Sequence, residues 1–145
     1  MSIFPAKVLL AVDGSGESDL ALRSAVDLSR KTGSELHVVH VGLVPTVYRP
    51  EQRGYGIRYA KAEEEARHLL EEQVEKVKAA GASAVQAHLR MGRPDAEIVA
   101  LAEEIGAGLI VLGSRGLGGM KRVLMGSVSD SVVRHAHCPV LVVRR

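Results

Sequence analysis

The stretch that decides the fold is Leu109-Ile110-Val111-Leu112-Gly113-Ser114-Arg115-Gly116, followed after nine residues by Gly126-Ser127. The apolar run predicts a buried strand, the glycines predict a turn, and Gly126 with a hydroxyl residue predicts the start of a helix. Glycines let backbone N–H groups approach an anion, and a helix start adds unpaired N–H groups and partial positive charge. This order of parts favours phosphate binding, and a plain surface loop between two elements is the alternative.

Strands alternate with helices on both sides of this stretch. Apolar runs predict five strands, at residues 7–12, 35–41, 84–90, 109–112 and 139–143, with helices between them. Alternation of this kind is typical of an α/β domain, here a single one over residues 1–145, with a doubly wound parallel sheet and helices on both faces. Ligands of such sheets bind outside the carboxyl ends of the strands, where the strand order reverses. In the order 3-2-1-4-5, Asp13 and Gly113 follow the two strands at that point.

One segment interrupts the alternation. Residues 42–58 contain prolines and glycines and are expected to form a flexible loop, either an insertion or a lid over the site. The following helix is predicted over residues 60–80. The last helix is predicted to begin near Ser127, where Ser127 and Asp130 have the spacing of a capping box.

Composition limits the classes of function. The net charge is +2, and the chain has no Trp, one Phe and three Tyr, which disfavours nucleic acid as a partner. No apolar run reaches the roughly 18 residues of a membrane span. With a single cysteine and no signal-peptide pattern, the expected location is the cytoplasm and no membrane is involved.

The glycine spacing also carries a family resemblance. The pattern G-x2-G-x9-G-[ST], formed by Gly113, Gly116, Gly126 and Ser127, resembles the nucleotide-binding signature of the universal stress protein family, in its ATP-binding branch. Residues 7–15 and 35–41 resemble the family's first two strands, and residues 126–143 resemble its closing helix and last strand. The resemblance extends over essentially the whole chain. It implies a Rossmann-like fold of the adenine nucleotide alpha hydrolase type, with strand order 3-2-1-4-5.

The resemblance implies ATP as cofactor, with Mg²⁺. Asp13 would accept hydrogen bonds from the ribose hydroxyls, and a turn or helix-capping role is the alternative. Val41 would meet adenine, partly through its backbone, and a core valine is the alternative. Gly113 and Gly116 would approach ribose and phosphates, and Gly126 would hold the outer phosphates. The remaining residues expected at the site are Val12, Ser114, Arg115, Ser127, Val128 and Ser129.

Two classes of function fit this pocket. Efficient hydrolysis needs a positioned base or water-orienting residue and metal ligands, and the chain has no acidic residue between Gly113 and Ser129. The P-loop pattern G-x-x-x-x-G-K-[ST] is also absent. We therefore expect a nucleotide-dependent regulatory module in stress response, read by an unidentified protein partner, with little or no turnover. The alternative is a slow ATPase or other nucleotide-processing enzyme. The resemblance further implies a homodimer through the apolar edge strand at residues 139–143.

Overall fold

The computed structural model describes residues 6–45, 54–114 and 126–144. Within these ranges strands and helices alternate along the chain. The elements are β1 Lys7–Ala11, α1 Gly16–Thr32, β2 Glu35–Gly42, α2 Tyr55–Ala79, β3 Val85–Met91, α3 Pro94–Ile105, β4 Leu109–Gly113, α4 Ser127–His135 and β5 Val140–Val143.

The five strands form one sheet in the order β3-β2-β1-β4-β5, and all neighbouring pairs are parallel. Val8 of β1 pairs with Leu36 of β2 on one side and with Leu109 of β4 on the other. The predicted fold class and strand order are confirmed. Because β1 and β4 are neighbours, their carboxyl ends adjoin at the point where the strand order reverses.

Two apolar cores lie on the two faces of the sheet. Leu10 and Val38 pack with side chains of α1 and α2, such as Leu22. Leu9 and Val39 pack on the opposite face with side chains of α3 and α4. Consecutive residues of a strand point to opposite faces, so a continuous apolar run fills both cores. Each fully buried Leu or Val stabilises the fold by about 1.5–3 kcal/mol.

Local signals explain where α1 begins and ends. Ser15 is its N-cap residue, and the Ser15 side chain accepts a hydrogen bond from the backbone N–H of Ser18. Gly33 is the C-cap residue, with a left-handed φ of 76°. Glycine adopts this conformation without a steric penalty, so the helix ends there. The turn between β1 and α1 is thereby fixed, and it carries Asp13.

α4 begins at Ser127 as predicted, whereas the predicted bounds of the irregular segment and the predicted capping box are wrong. The irregular segment predicted at residues 42–58 is shorter, because β2 continues to Gly42 and α2 begins at Tyr55. Gly54 has a left-handed φ of 84° just before α2, so the helix begins immediately after this residue. The remainder of the segment, residues 46–53, lies outside the described residues. The predicted capping box is also wrong, because Gly126, which has no side chain, is the N-cap residue of α4.

None of the helices in the described part of the chain is long and apolar enough to cross a membrane.

Candidate functional site

The sequence-predicted residues fall on the carboxyl edge of the sheet and the adjoining helix starts. Leu10 of β1 pairs with Val111 of β4, so Asp13 and Ser114 leave neighbouring strands at nearly the same level. Gly126 and Ser127 begin α4 beside them, since the Gly126 N–H donates to the Ser114 carbonyl at 2.6 Å. Arg115 and Gly116 were also predicted here; they lie outside the described residues.

Asp13 is half-buried and serves the turn between β1 and α1. Its Oδ1 accepts a hydrogen bond from the Ser15 N–H at 2.9 Å, and its own N–H donates to the Ser18 hydroxyl at 3.2 Å. Oδ2 has no hydrogen-bond partner among residues 6–45, 54–114 and 126–144. Asp13 is therefore a turn residue, as the alternative interpretation held, and it keeps an acceptor oxygen available for a ligand hydroxyl.

Val12 directly follows β1 and Val41 is the penultimate residue of β2, and both side chains lie in the apolar cores. Val12 is 4% exposed and Val41 is 8% exposed. The Val12 N–H donates to the Val39 carbonyl at 2.9 Å. Any contact of Val41 with a ligand therefore involves mainly its backbone, because the side chain packs inside.

His40 is a residue that the sequence interpretation missed. Its Nδ1 lies 2.8 Å from the Val12 carbonyl oxygen. A carbonyl oxygen only accepts, so Nδ1 carries the proton and donates. This bond fixes the peptide that leads into Asp13. The signal was the spacing of two that His40 shares with Leu36 and Val38, which puts all three on one face of β2.

Ser114 joins four elements. Its N–H donates to the carbonyl of Val143 at the end of β5, at 2.9 Å. Its carbonyl accepts from the Gly126 N–H and, at 2.7 Å, from the hydroxyl of Ser129 in α4. Its own hydroxyl donates to the carboxylate of Glu17 in α1. Ser114 is 4% exposed and Ser129 is 2% exposed, so this network is buried.

These bonds determine which serine hydroxyls at the site can donate a hydrogen bond to an anion. A phosphate oxygen needs a donor, and the hydroxyl protons of Ser114 and Ser129 are directed into the protein. Ser127 is exposed in the first turn of α4. The first bond within this helix runs from the Asp130 N–H to the Gly126 carbonyl. The N–H groups of Ser127, Val128 and Ser129 precede that bond, so they have no acceptor within α4, and such groups at a helix start are suited to an anion.

Gly113 is required by packing against α1. A Cβ atom at this position would lie 2.9 Å from the Glu17 carbonyl carbon and 3.0 Å from its oxygen. Glu17 itself is 7% exposed, and the sequence interpretation overlooked it. Glu17, Ala21 and Ala25 recur every four residues on the buried face of α1, and that spacing was the available signal.

Cysteine and metal chemistry find little support in the described residues. Burial raises the pKa of the Cys138 thiol, which packs beside the core under α3 and α4 and is thus less prone to ionise. Among residues 6–45, 54–114 and 126–144, no group of three or more His, Cys, Asp or Glu side chains is arranged to hold a metal ion.

Comparison with known proteins finds relatives that match nearly the full length of the chain. The universal stress protein YxiE of Bacillus subtilis is 40% identical over 147 residues, covering 95% of this chain and 98% of its own. A universal stress protein solved in complex with cAMP is 27% identical with a TM-score of 0.73, covering 96% of this chain and 97% of that one. The universal stress protein of Archaeoglobus fulgidus solved in complex with dAMP is 28% identical with a TM-score of 0.64, covering 98% and 99%.

The family model described as "Universal stress protein family" matches residues 6–144. This range includes β1 through β5 and both ends of the glycine pattern. The chain therefore belongs to the universal stress protein family.

Proposed function

We propose that this protein binds ATP with Mg²⁺ at the carboxyl ends of β1 and β4, and that it acts as a nucleotide-dependent regulatory module with little or no turnover. The observation that carries this proposal is the start of α4. Its N-cap residue is a glycine, which has no side chain to cap the helix, its first residue is exposed, and it adjoins the end of β4. A helix start of this kind presents N–H groups and partial positive charge to an anion.

The neighbouring groups fit the rest of an adenine nucleotide. Oδ2 of Asp13, which has no hydrogen-bond partner within the described ranges, would accept from ribose hydroxyls. The base would lie against the backbone near Val41, since the Val41 side chain is held in the core. Two relatives were solved with cAMP and dAMP, which supports an adenine nucleotide as the ligand class.

Within the adenine nucleotides, we propose the triphosphate as the ligand. Its support is the run of cations in the glycine-rich segment, Arg115, Lys121 and Arg122, which suits a highly charged ligand. Mg²⁺ usually keeps several waters and binds through phosphate oxygens, so it needs few protein ligands. Ser127, exposed in the first turn of α4, has a hydroxyl beside the helix start that would hold those phosphates.

Low turnover follows from the acidic side chains available. Hydrolysis needs a group that orients or deprotonates water near the terminal phosphate. Glu17 is buried against Ser114, and Asp130 pairs with Arg134 at 3.0 Å. We therefore favour binding over catalysis, with the bound state read by a protein partner in the cytoplasm. We also propose a homodimer through β5, an edge strand with Leu141 37% exposed.

The test is calorimetry with Mg²⁺ and ATP, ADP, AMP or cyclic AMP, while the ATP sample is followed for released phosphate. We expect ATP to bind and phosphate to stay unreleased. Release at enzyme-like rates would overturn the regulatory proposal, and failure of every nucleotide to bind would overturn the site.

Ser127→Asp is the informative variant. A carboxylate in the first turn stabilises a helix and repels phosphate, so the fold should persist while ATP affinity falls more than about tenfold. Ser83→Asp, at an exposed serine before β3, is the matched control and should bind ATP normally.

A further inference from the structure

We propose that Glu17 is a positioning residue of the nucleotide site. Through its bond to Ser114, Glu17 holds the start of α4 in the orientation that receives the phosphates. This inference rests on the proposed function, because it concerns the same site.

The contact is between two buried polar groups. Glu17 is 7% exposed, Ser114 is 4% exposed, and the Ser114 hydroxyl donates to the Glu17 carboxylate. A buried hydroxyl or carboxylate without a partner is costly, and hydrogen bonds to charged groups are stronger than neutral ones. The bond is therefore a firm restraint on the rotation of Ser114.

Glu17 is itself held in place by the backbone. The segment of α1 around Glu17 lies so close to Gly113 that a single added methyl group would approach its carbonyl carbon to 2.9 Å. The Ser15 side chain caps the same turn of α1 by accepting a hydrogen bond from the Ser18 N–H. Glu17 thus bonds to Ser114 from a helix start that is itself fixed. Through this bond, the position of α1 restrains Ser114 at the end of β4.

The orientation of Ser114 in turn determines where α4 begins. The Ser114 carbonyl accepts from the Gly126 N–H at 2.6 Å and from the Ser129 hydroxyl at 2.7 Å. These two bonds bracket the first turn of α4, whose Ser127 and Val128 N–H groups are the anion donors of the proposed site. Donors held in advance bind an anion without a cost of reorganisation, so loosening Ser114 should weaken phosphate binding.

A positioning role and a general structural role would affect ligand binding differently. General loss of stability would weaken every ligand in the same proportion. Loosened α4 donors would weaken the phosphate contacts, while the contacts to adenosine at the ends of β1 and β2 would persist. The ratio of ATP affinity to adenosine affinity is therefore the quantity to measure.

The experiment compares Glu17→Ala, Glu17→Gln, Ser114→Ala and the double variant Glu17→Ala/Ser114→Ala with the full-length chain. ATP is titrated by calorimetry, and adenosine by NMR chemical shifts, which report weak binding. We expect Glu17→Ala and Ser114→Ala each to raise the Kd for ATP about tenfold, with adenosine changed less than about twofold. Glu17→Gln should restore most of the affinity, because its amide oxygen still accepts the bond from Ser114.

The double variant tests whether both residues act through one bond. If they do, it should bind ATP no worse than the weaker single variant, whereas independent roles would give additive losses. Ser24→Ala deletes a hydroxyl elsewhere on α1, and Ile98→Val loosens the core under α3; both should keep the ratio of the two affinities unchanged.

The outcomes separate this inference from the proposed function. If the unaltered protein binds ATP and the Glu17 variants lose ATP and adenosine in proportion, or lose nothing, the positioning role is wrong and the site stands. If the unaltered protein binds no adenine nucleotide, the proposed function fails and the inference fails with it.

Discussion

At the scale of single residues, the two carboxylate oxygens of Asp13 have different surroundings. Oδ1 accepts from Ser15 in the turn, and Oδ2 is left without a partner in the described part of the chain. Charged acceptors form stronger hydrogen bonds than neutral ones. We therefore expect ATP affinity to fall by different amounts when the charge of Asp13 is removed and when the whole carboxylate is removed.

We predict that Asp13→Ala lowers ATP affinity by about 10- to 100-fold, the range for a lost hydrogen bond to a charged group. Asp13→Asn should lose less, because an oxygen remains for either the turn or the ribose. Calorimetry with ATP and 2′-deoxy-ATP measures both effects. Asp27→Ala, at an exposed aspartate of α1, is the control. Equal affinity of Asp13→Ala and the unaltered protein would remove Asp13 from the site.

A second residue-scale feature lies at the other end of β2, where two histidines share a hydrogen bond. His37 Nε2 lies 2.8 Å from Glu35 Oε1, and His37 Nδ1 lies 2.9 Å from His88 Nε2. The carboxylate only accepts, so His37 donates to Glu35 through Nε2 and, when neutral, accepts from His88 through Nδ1. The contact therefore needs a lone pair on His37 Nδ1 and a proton on His88 Nε2.

The pKa of His88 is lowered from its ordinary value, chiefly by burial and also by the nearby His37 and Arg90, against an opposing effect of Glu104. The unfolded chain therefore binds this proton more readily than the folded chain. The stability that neutral His88 contributes is complete above the unfolded pKa of about 6.5 and is lost as the pH falls below it. Urea unfolding from pH 7.5 to 5 should show this decline, and His88→Gln should reduce its slope. Parallel curves for both proteins would contradict the assignment.

At the scale of elements, the close approach of α1 to β4 depends on the absence of a Cβ atom at Gly113. We predict that Gly113→Ala destabilises the protein by about 1–3 kcal/mol, because the neighbouring atoms are helix backbone and the whole of α1 must shift. Urea midpoints measure the change. Gly56→Ala is the control: its Cβ meets nothing within 4 Å, and helix propensity favours alanine there. An unchanged midpoint for Gly113→Ala would contradict the tight contact.

The elements themselves were largely predictable from the sequence. Apolar runs such as residues 109–112 located every strand within one residue, because a central parallel strand must fill both cores. Element ends were harder. Gly126 and Ser127 both suit a helix start, and local pattern alone did not decide which of them is the cap. Tyr55 and Gly56 were included in the predicted loop because of their composition, although they belong to α2.

The site was predictable where one local pattern defines it and missed where distant residues meet. Asp13 and Ser127 follow from the strand-turn-helix pattern. Glu17 and Ser114 are 97 positions apart in the chain, and His40 and Val12 are 28 apart. Such contacts depend on the register of the sheet and the packing of α1, so single-sequence periodicity indicates that these polar residues are buried without indicating their partners.

At the scale of the whole molecule, β5 is the edge that a second copy would extend. We predict that the unaltered protein has about twice the 15.5 kDa mass of one chain, and that Leu141→Glu makes it monomeric. A charge on an exposed apolar edge residue disfavours pairing of two edges. Size-exclusion chromatography with light scattering measures the mass. Ile57→Glu, at a residue 78% exposed at the start of α2, should leave the dimer intact. A single-chain mass for the unaltered protein would refute the dimer.

The bond between the Gly126 N–H and the Ser114 carbonyl brings the two ends of segment 115–125 together. A chain whose ends are already joined gains length at little cost, since each doubling of a flexible loop adds only about 0.6 kcal/mol of closure entropy. The pairing of the strands would not change, because the sheet does not depend on the length of this segment. Residues inserted between Ser114 and Gly126 should therefore cost the domain little stability.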